Sequence, residues 1–145
     1  MASMYLRIVF GVAVFIMLLL IGGCASPPST PAPTAVTNSA TSVSASGARL
    51  NGSADPNGAS TNAWFQWGTS TAYGNTTALN SVGSGTSPIS YNADLGALAC
   101  GTTYHFRAVA QNSGGTTYGS NSSFTTSACT TQPPTAVTSA ASSLV

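Results

Sequence analysis

Few side chains in this sequence are equipped to run a reaction. Beyond Cys24, the ionisable groups other than Cys and Tyr are Arg49, Arg107, Asp55, Asp94 and His105, with no Lys and no Glu. Hydrolysis of a glycosidic bond needs two carboxylates facing each other across it. Asp55 opens an Asp-Pro-Asn-Gly turn, where aspartate serves local hydrogen bonding. Asp94 takes an outward position in a strand-like run, so nothing in the spacing pairs the two. His105 is the only histidine, beside Arg107, and no Gly-x-Ser-x-Gly elbow accompanies it. The glycines fall in turns and not between a strand and a helix, as a phosphate loop requires. Cys100 and Cys129 have no histidine near them and make no zinc set. The expectation is a non-catalytic protein without cofactor or metal. Trp64 has binding chemistry to offer. It is expected to face solvent near Arg107, in cation–π range, and to cover its own sheet. The alternative is a small stacking platform for a sugar or a partner.

Cys24 has a different chemistry. It closes Ile21-Gly22-Gly23-Cys24, at the end of an apolar run from Ile8 to Ile21 that follows the single Arg7. The run is about 14 residues, against the ~20 needed to span a bilayer core. A cation, a short apolar stretch and small residues describe an export signal. The segment resembles the lipobox of bacterial lipoproteins. That resemblance implies a diacylglyceryl thioether on Cys24, cleavage after Gly23 and acylation (palmitate-type) of the new amino terminus. Acyl chains at ~0.8 kcal/mol per buried methylene would then hold the protein on the membrane without a basic patch. The other reading is an uncleaved anchor with an incidental cysteine. Ala25 follows the cysteine where an aspartate is absent; by resemblance to Gram-negative sorting patterns, this implies the outer membrane, on its periplasmic or surface face.

The formal net charge of the 145-residue chain is +1. So little charge gives no reason to expect nucleic acid as a partner. Trp64, Phe65, Trp67, Tyr73, Tyr91, Tyr104, Phe106, Tyr118 and Phe124 are spread along the middle, enough apolar mass for a small core. The chain divides into a signal peptide (1–23), the lipidated cysteine with a proline-rich tether (24–32), a domain (33–126) and a linker leading into a truncated second module (127–145). The tether contains Ala-Ser-Pro-Pro-Ser-Thr-Pro-Ala, which favours polyproline II and would lift the domain roughly 25 Å off the membrane. The second module is inferred from a repeat: Pro33-Thr34-Ala35-Val36-Thr37 recurs as Pro134-Thr135-Ala136-Val137-Thr138, and Ala40-Thr41-Ser42-Val43 as Ala141-Ser142-Ser143-Leu144. A long period of this kind marks tandem modules. The second copy stops at Val145, so it is expected to form no core of its own.

Between the copies, residues alternate with the period of strands. Tyr104, Phe106, Ala108 and Ala110 form one apolar set; Ala63, Phe65 and Trp67 another; Tyr91, Ala93 and Leu95, with Ile89, a third; Ala48 and Leu50 a weaker fourth. Turn signals separate them, at Asp55-Pro56-Asn57-Gly58, Gly83-Ser84-Gly85, Gly96, Gly101 and Asn112-Ser113-Gly114-Gly115. The pattern predicts strands at residues 35–37 with Val43, then 48–54, 61–67, 72–77, 88–95, 103–111 and 116–125. Seven short strands with regular turns describe an all-β sandwich of immunoglobulin-like type.

Leu98-Ala99-Cys100-Gly101-Thr102-Thr103-Tyr104 resembles the Leu-x-Pro-Gly-Thr-x-Tyr segment of fibronectin type III domains. Trp67-Gly68-Thr69-Ser70-Thr71-Ala72-Tyr73-Gly74 is similar to the stretch after the third strand in bacterial versions. The resemblance implies a seven-stranded sandwich over about Pro33–Thr126 and a tyrosine corner formed by Leu98 and Tyr104, the hydroxyl bonding back to loop carbonyls. The family's second-strand tryptophan is missing, with Leu50 near its place. Cys100 replaces the usual loop proline, and no Arg-Gly-Asp supports integrin binding. In that topology Cys100 and Cys129 meet at one pole, which in an oxidising compartment implies a disulfide; the alternative is two unpaired thiols. The expected function is that of a membrane-anchored spacer or interaction module touching envelope proteins or glycans. The alternative is an accessory module of a larger secreted polysaccharide-degrading enzyme.

Overall fold

The computed structural model describes residues 29–130. The leader, Cys24, most of the tether and the second copy of the repeat lie outside the described residues. Among those described there is no helix, and nine strands form: β1 (Thr34–Thr41), β2 (Ala48–Asp55), β3 (Thr61–Gly68), β4 (Asn75–Thr76), β5 (Asn80–Gly83), β6 (Ile89–Leu95), β7 (Thr103–Asn112), β8 (Gly115–Tyr118) and β9 (Ser122–Thr125). One sheet has the order β1-β2-β6. The other has β4-β3-β7-β8, with β5 also on β3 and β9 also on β7. Because β3 and β7 pair with each other, β4 and β5 share the outer edge of β3, and β8 and β9 share the outer edge of β7. The nine segments therefore run in seven lanes, three facing four, all antiparallel.

Two of the lanes depart from the sequence expectation, each for a local reason. The strand predicted over 72–77 is mostly turn. Tyr73 (φ 64°) and Gly74 (φ 75°) are left-handed, Tyr73 N–H donates to Ser70 O at 3.0 Å, and Gly74 N–H to Ala72 O at 2.9 Å. Asn75 and Thr76 alone of this run are strand, followed by Thr77 N–H donating to Phe65 O of β3 at 3.0 Å, and an unanticipated β5 resumes the lane. The strand predicted over 116–125 breaks at Gly119–Asn121. There Gly119 N–H donates to Ala108 O (2.9 Å), while Ala108 N–H donates to Thr37 Oγ1 from β1 (2.9 Å). A side chain of the opposite sheet thus replaces the missing ladder bond, as a buried amide demands. A Cβ at Gly119 would overlap that same Thr37 hydroxyl. Val43, expected to belong to the first strand, lies beyond its end.

The inward set is close to the expected one. Leu50, Ala63, Phe65, Phe106, Ala108 and Ala110 are fully buried, and Ala48, Tyr91, Leu98, Tyr104 and Phe124 nearly so. Phe65 is the centre, with ring centroids 4.8 Å from Tyr91 and 6.3 Å from Phe106. Its ring lies on the backbone of Gly52 across the sandwich: a Cβ there would come 3.1 Å from Phe65 Cε1. This explains a glycine in the middle of β2, where no side chain is needed to fill space. Phe65, an aromatic of the facing sheet, fills the space over this glycine.

Tyr91 ties the two sheets together. It leaves β6 and places its hydroxyl 3.2 Å from Trp64 O and 3.3 Å from Val109 O, on β3 and β7. Burial pushes this hydroxyl from its ordinary 10.0 up to about 12. The unfolded chain ionises Tyr91 at the lower value, so the stabilisation is complete below pH 10 and is lost as pH rises towards 12. Denaturant midpoints should fall across that interval, and the fall should be smaller for Tyr91→Phe. Superimposable pH profiles would remove Tyr91 as its source.

Candidate functional site

The outward side of the β3–β7–β8 layer carries the chemistry. Alternation along β7 sends His105, Arg107 and Gln111 outward, and along β3 it does the same for Trp64 and Gln66. Register then brings them together: Gln66 faces Arg107, Trp64 faces Val109, and Val109 faces Tyr118. Gln66 Oε1 accepts from Arg107 Nε at 2.9 Å. The guanidinium carbon lies 4.1 Å from the centroid of Tyr118 and 4.7 Å from that of Tyr73. One ring comes from the β8 side of β7 and the other from the turn after β3. The expected pairing of Arg107 with Trp64 is therefore corrected: Tyr73 and Tyr118 take that place. Trp64 is half-buried. Its register partner Val109 has no exposure at all, although its position in the strand alternation is outward.

Tyr73 is fixed at both ends. Its hydroxyl donates to Asn121 Oδ1 at 3.1 Å, and Asn121 Nδ2 lies 3.3 Å from His105 Nδ1. The left-handed backbone of a non-glycine residue costs about 1–3 kcal/mol and persists only where its surroundings hold it. Here the Arg107 stack and the Asn121 bond hold it, and Gly68 makes the turn possible, because a Cβ at Gly68 would overlap the Tyr73 carbonyl. The turn and the strands enclose an open groove of about 380 Å³, lined by Gln66, Thr71, Tyr73, Asn75, Thr76 and Arg107 among others. Tyr118, 52% exposed, borders the same face. The outward alternation of Gln66 was available in the sequence; its meeting with Tyr73 and Tyr118 around Arg107 was not.

The other charged residues are placed elsewhere. Arg49 Nε and Nη2 donate to Asp94 Oδ1 and Oδ2 at 2.6 and 2.8 Å, on the exposed side of β2–β6. These bonds, and then the charge, hold the Arg49 guanidinium above its ordinary range; they likewise hold Asp94 below that of a carboxylate. Asp55 Oδ1 accepts from Asn57 N–H at 3.0 Å in its turn. Arg49, opposite Asp94, is six positions along β2 from Asp55, roughly 20 Å in a strand. Two carboxylates so placed cannot act on one glycosidic bond. Among the described residues, no three of His, Cys, Asp and Glu come together as metal ligands.

The two poles of the sandwich are fixed differently. At the entry pole Pro33 and Pro56 are buried. Asn57 Nδ2 donates to Ala32 O (2.7 Å), and Asn112 Nδ2 to Pro31 O (3.1 Å) and Pro56 O (3.0 Å). The last residues assigned to the tether are thus docked on the domain. At the exit pole Cys100 and Cys129 are joined by a disulfide, with Cα atoms 5.1 Å apart. Thr126 Oγ1 donates to Ala99 O at 2.7 Å. Leu98 is buried, and the Tyr104 hydroxyl accepts from Ala99 N–H at 3.0 Å. The partner of this hydroxyl is therefore a loop N–H, in place of the expected carbonyl. Three lanes facing four, closed by a tyrosine folded back on the loop before its strand, decide the architecture.

The fold is a fibronectin type III-like sandwich. No protein-family profile matches the sequence, and no curated protein does. Among solved structures, the chain is similar to the sensor domain of the anti-sigma factor RsgI4 of Pseudobacteroides cellulosolvens. The TM-score is 0.53 at 21% identity, over 66% of this chain and 94% of that one. It is also similar to the human fibronectin type III domain of KIAA0970 (TM-score 0.41, 17% identity, 79% and 88% covered). The domain of human fibronectin type III domain containing protein 3 gives 0.42, 20%, 72% and 94%. At these identities the likeness is one of fold.

Proposed function

We propose that this fibronectin type III-like module is a non-catalytic, in-line spacer of the bacterial cell envelope, lipid-anchored through Cys24 at the outer membrane, with the outer β3–β7–β8 face as its contact surface. The observation that carries this reading is the placement of the chain ends. The chain enters beside Asn112 at one end of β7 and leaves beside Thr103, paired with Thr125, at the other. Ten strand residues separate the two ends, roughly 30 Å. The entry is clamped by Asn57 and Asn112 and the exit by the Cys100–Cys129 bridge. A module held at opposite poles extends a chain, whereas one with adjacent termini would branch from it. Pro31 and Ala32, the last residues assigned to the tether, are docked on the domain and do not add to its reach.

The anchor is tested by fractionation. Wild-type protein should sediment with the envelope and carry a lipid mass at Cys24, while Cys24→Ser should appear in the soluble fraction. Equal sedimentation of the two would overturn the lipid-anchored reading.

A further inference from the structure

We propose, resting on the reading that the β3–β7–β8 face is the contact surface, that the Arg107 groove binds the carboxylate of a uronic acid unit in an acidic glycan. Five ionisable groups other than Tyr and Cys lie among the described residues. Arg49 is neutralised by Asp94. Arg107 is the one guanidinium among the described residues with no carboxylate in ion-pair reach. It is flanked by Tyr73 and Tyr118 and bonded through Nε to Gln66. A guanidinium has five N–H donors in a planar fork, and this network uses one. Rings and amide fix the fork in advance, so little rotamer entropy remains to be lost when the other donors bind. A planar carboxylate is the group that meets such an edge with two parallel bonds.

The rest of the groove selects the molecule that bears the carboxylate. One cation stands here alone, which suits a single negative charge per unit and not a dense polyanion such as nucleic acid. Thr71, Asn75 and Thr76 line the groove with hydroxyl and amide groups, the partners of sugar hydroxyls. Tyr73 and Tyr118 add ring surface for the apolar face of a pyranose. The volume of about 380 Å³ accommodates one sugar unit, and the open face past Tyr118 and Trp64 lets a chain continue. An acidic peptide would use Arg107 equally but would leave the hydroxyl-lined wall unmatched.

Titrating trigalacturonate into the full chain tests this by calorimetry and by the NMR resonance of Arg107 Nε–H. The expected result is saturable binding that shifts this resonance. Affinity should fall at least about tenfold for the methyl-esterified trimer and for Arg107→Lys, the loss of one charge-assisted hydrogen bond or more. Equal affinity for the methyl ester, or an unmoved Arg107 resonance in the unsubstituted protein, overturns the proposal. Tri-glutamate binding as tightly as trigalacturonate overturns the glycan assignment in favour of an acidic peptide. The resonance shift needs no variant, so a folding defect in Arg107→Lys leaves the test intact. Binding of soluble Cys24→Ser protein to isolated envelopes that is lost when Trp64→Ala and Arg107→Ala are added, with no response to trigalacturonate, would keep the contact surface and discard this ligand.

Discussion

Phe65→Ala is expected to lower the unfolding free energy by about 3–5 kcal/mol, the usual cost of deleting a fully buried phenylalanine. The value should lie towards the upper end, because the surroundings have little means of closing the cavity. Phe65 fills the space over Gly52, which has no side chain to extend. Its other neighbours, Tyr91 and Phe106, are held in place: Tyr91 by hydrogen bonds to Trp64 O and Val109 O, and Phe106 by its strand and by Phe124 at 6.0 Å. A domain of this size is typically stable by about 5–15 kcal/mol. The loss is therefore a large share of the total and should lower the thermal midpoint by about 15–30 °C. Denaturant unfolding followed by tryptophan fluorescence measures it. A loss below ~1 kcal/mol would mean that Phe65 is not the keystone of the packing.

Removing the Cys100–Cys129 bridge should have the second largest effect. The two residues are 29 apart in sequence, and closing a loop of that length stabilises by about 3–4 kcal/mol in the chain-entropy model. Cys129 lies beyond β9, so the bridge ties the departing chain to the loop before β7. Cys100→Ser or Cys129→Ser should lower the thermal midpoint by about 15–20 °C. Wild-type protein under strong reductant should match the variants. The damage should begin at the exit pole, where Thr126 N–H donates to Thr102 O and Gly101 N–H to Ser127 O. Amide exchange at Gly101 and Thr126 should accelerate before that of β3. Identical midpoints with and without reductant would show that no bridge forms.

Much of this was legible because strands write their faces into the sequence with a period of two. Ala63 and Phe65, and Tyr104, Phe106, Ala108 and Ala110, fall inward by alternation and are buried. The turns at Asp55–Gly58 and Asn112–Gly115 carry the residues such turns require. Where reading by period failed, a contact from outside the segment had decided the matter. Val109 occupies an outward place and is nevertheless buried, flanked in register by Trp64 and Tyr118. The last lane breaks at Gly119 because Thr37 of the other sheet supplies the hydrogen bond.

The sequence by itself determined the all-β class and the inward set of the central strands, since these depend on residue type and on neighbours two positions away. Tertiary structure alone decided that Arg107 sits between Tyr73 and Tyr118, that Tyr91 spans the two sheets, and that Asn57 and Asn112 grip the incoming chain. Each of these joins residues tens of positions apart, and their meeting is set by strand register and by the packing of one sheet on the other. A local pattern records which side of a strand a residue faces, but not what waits for it there.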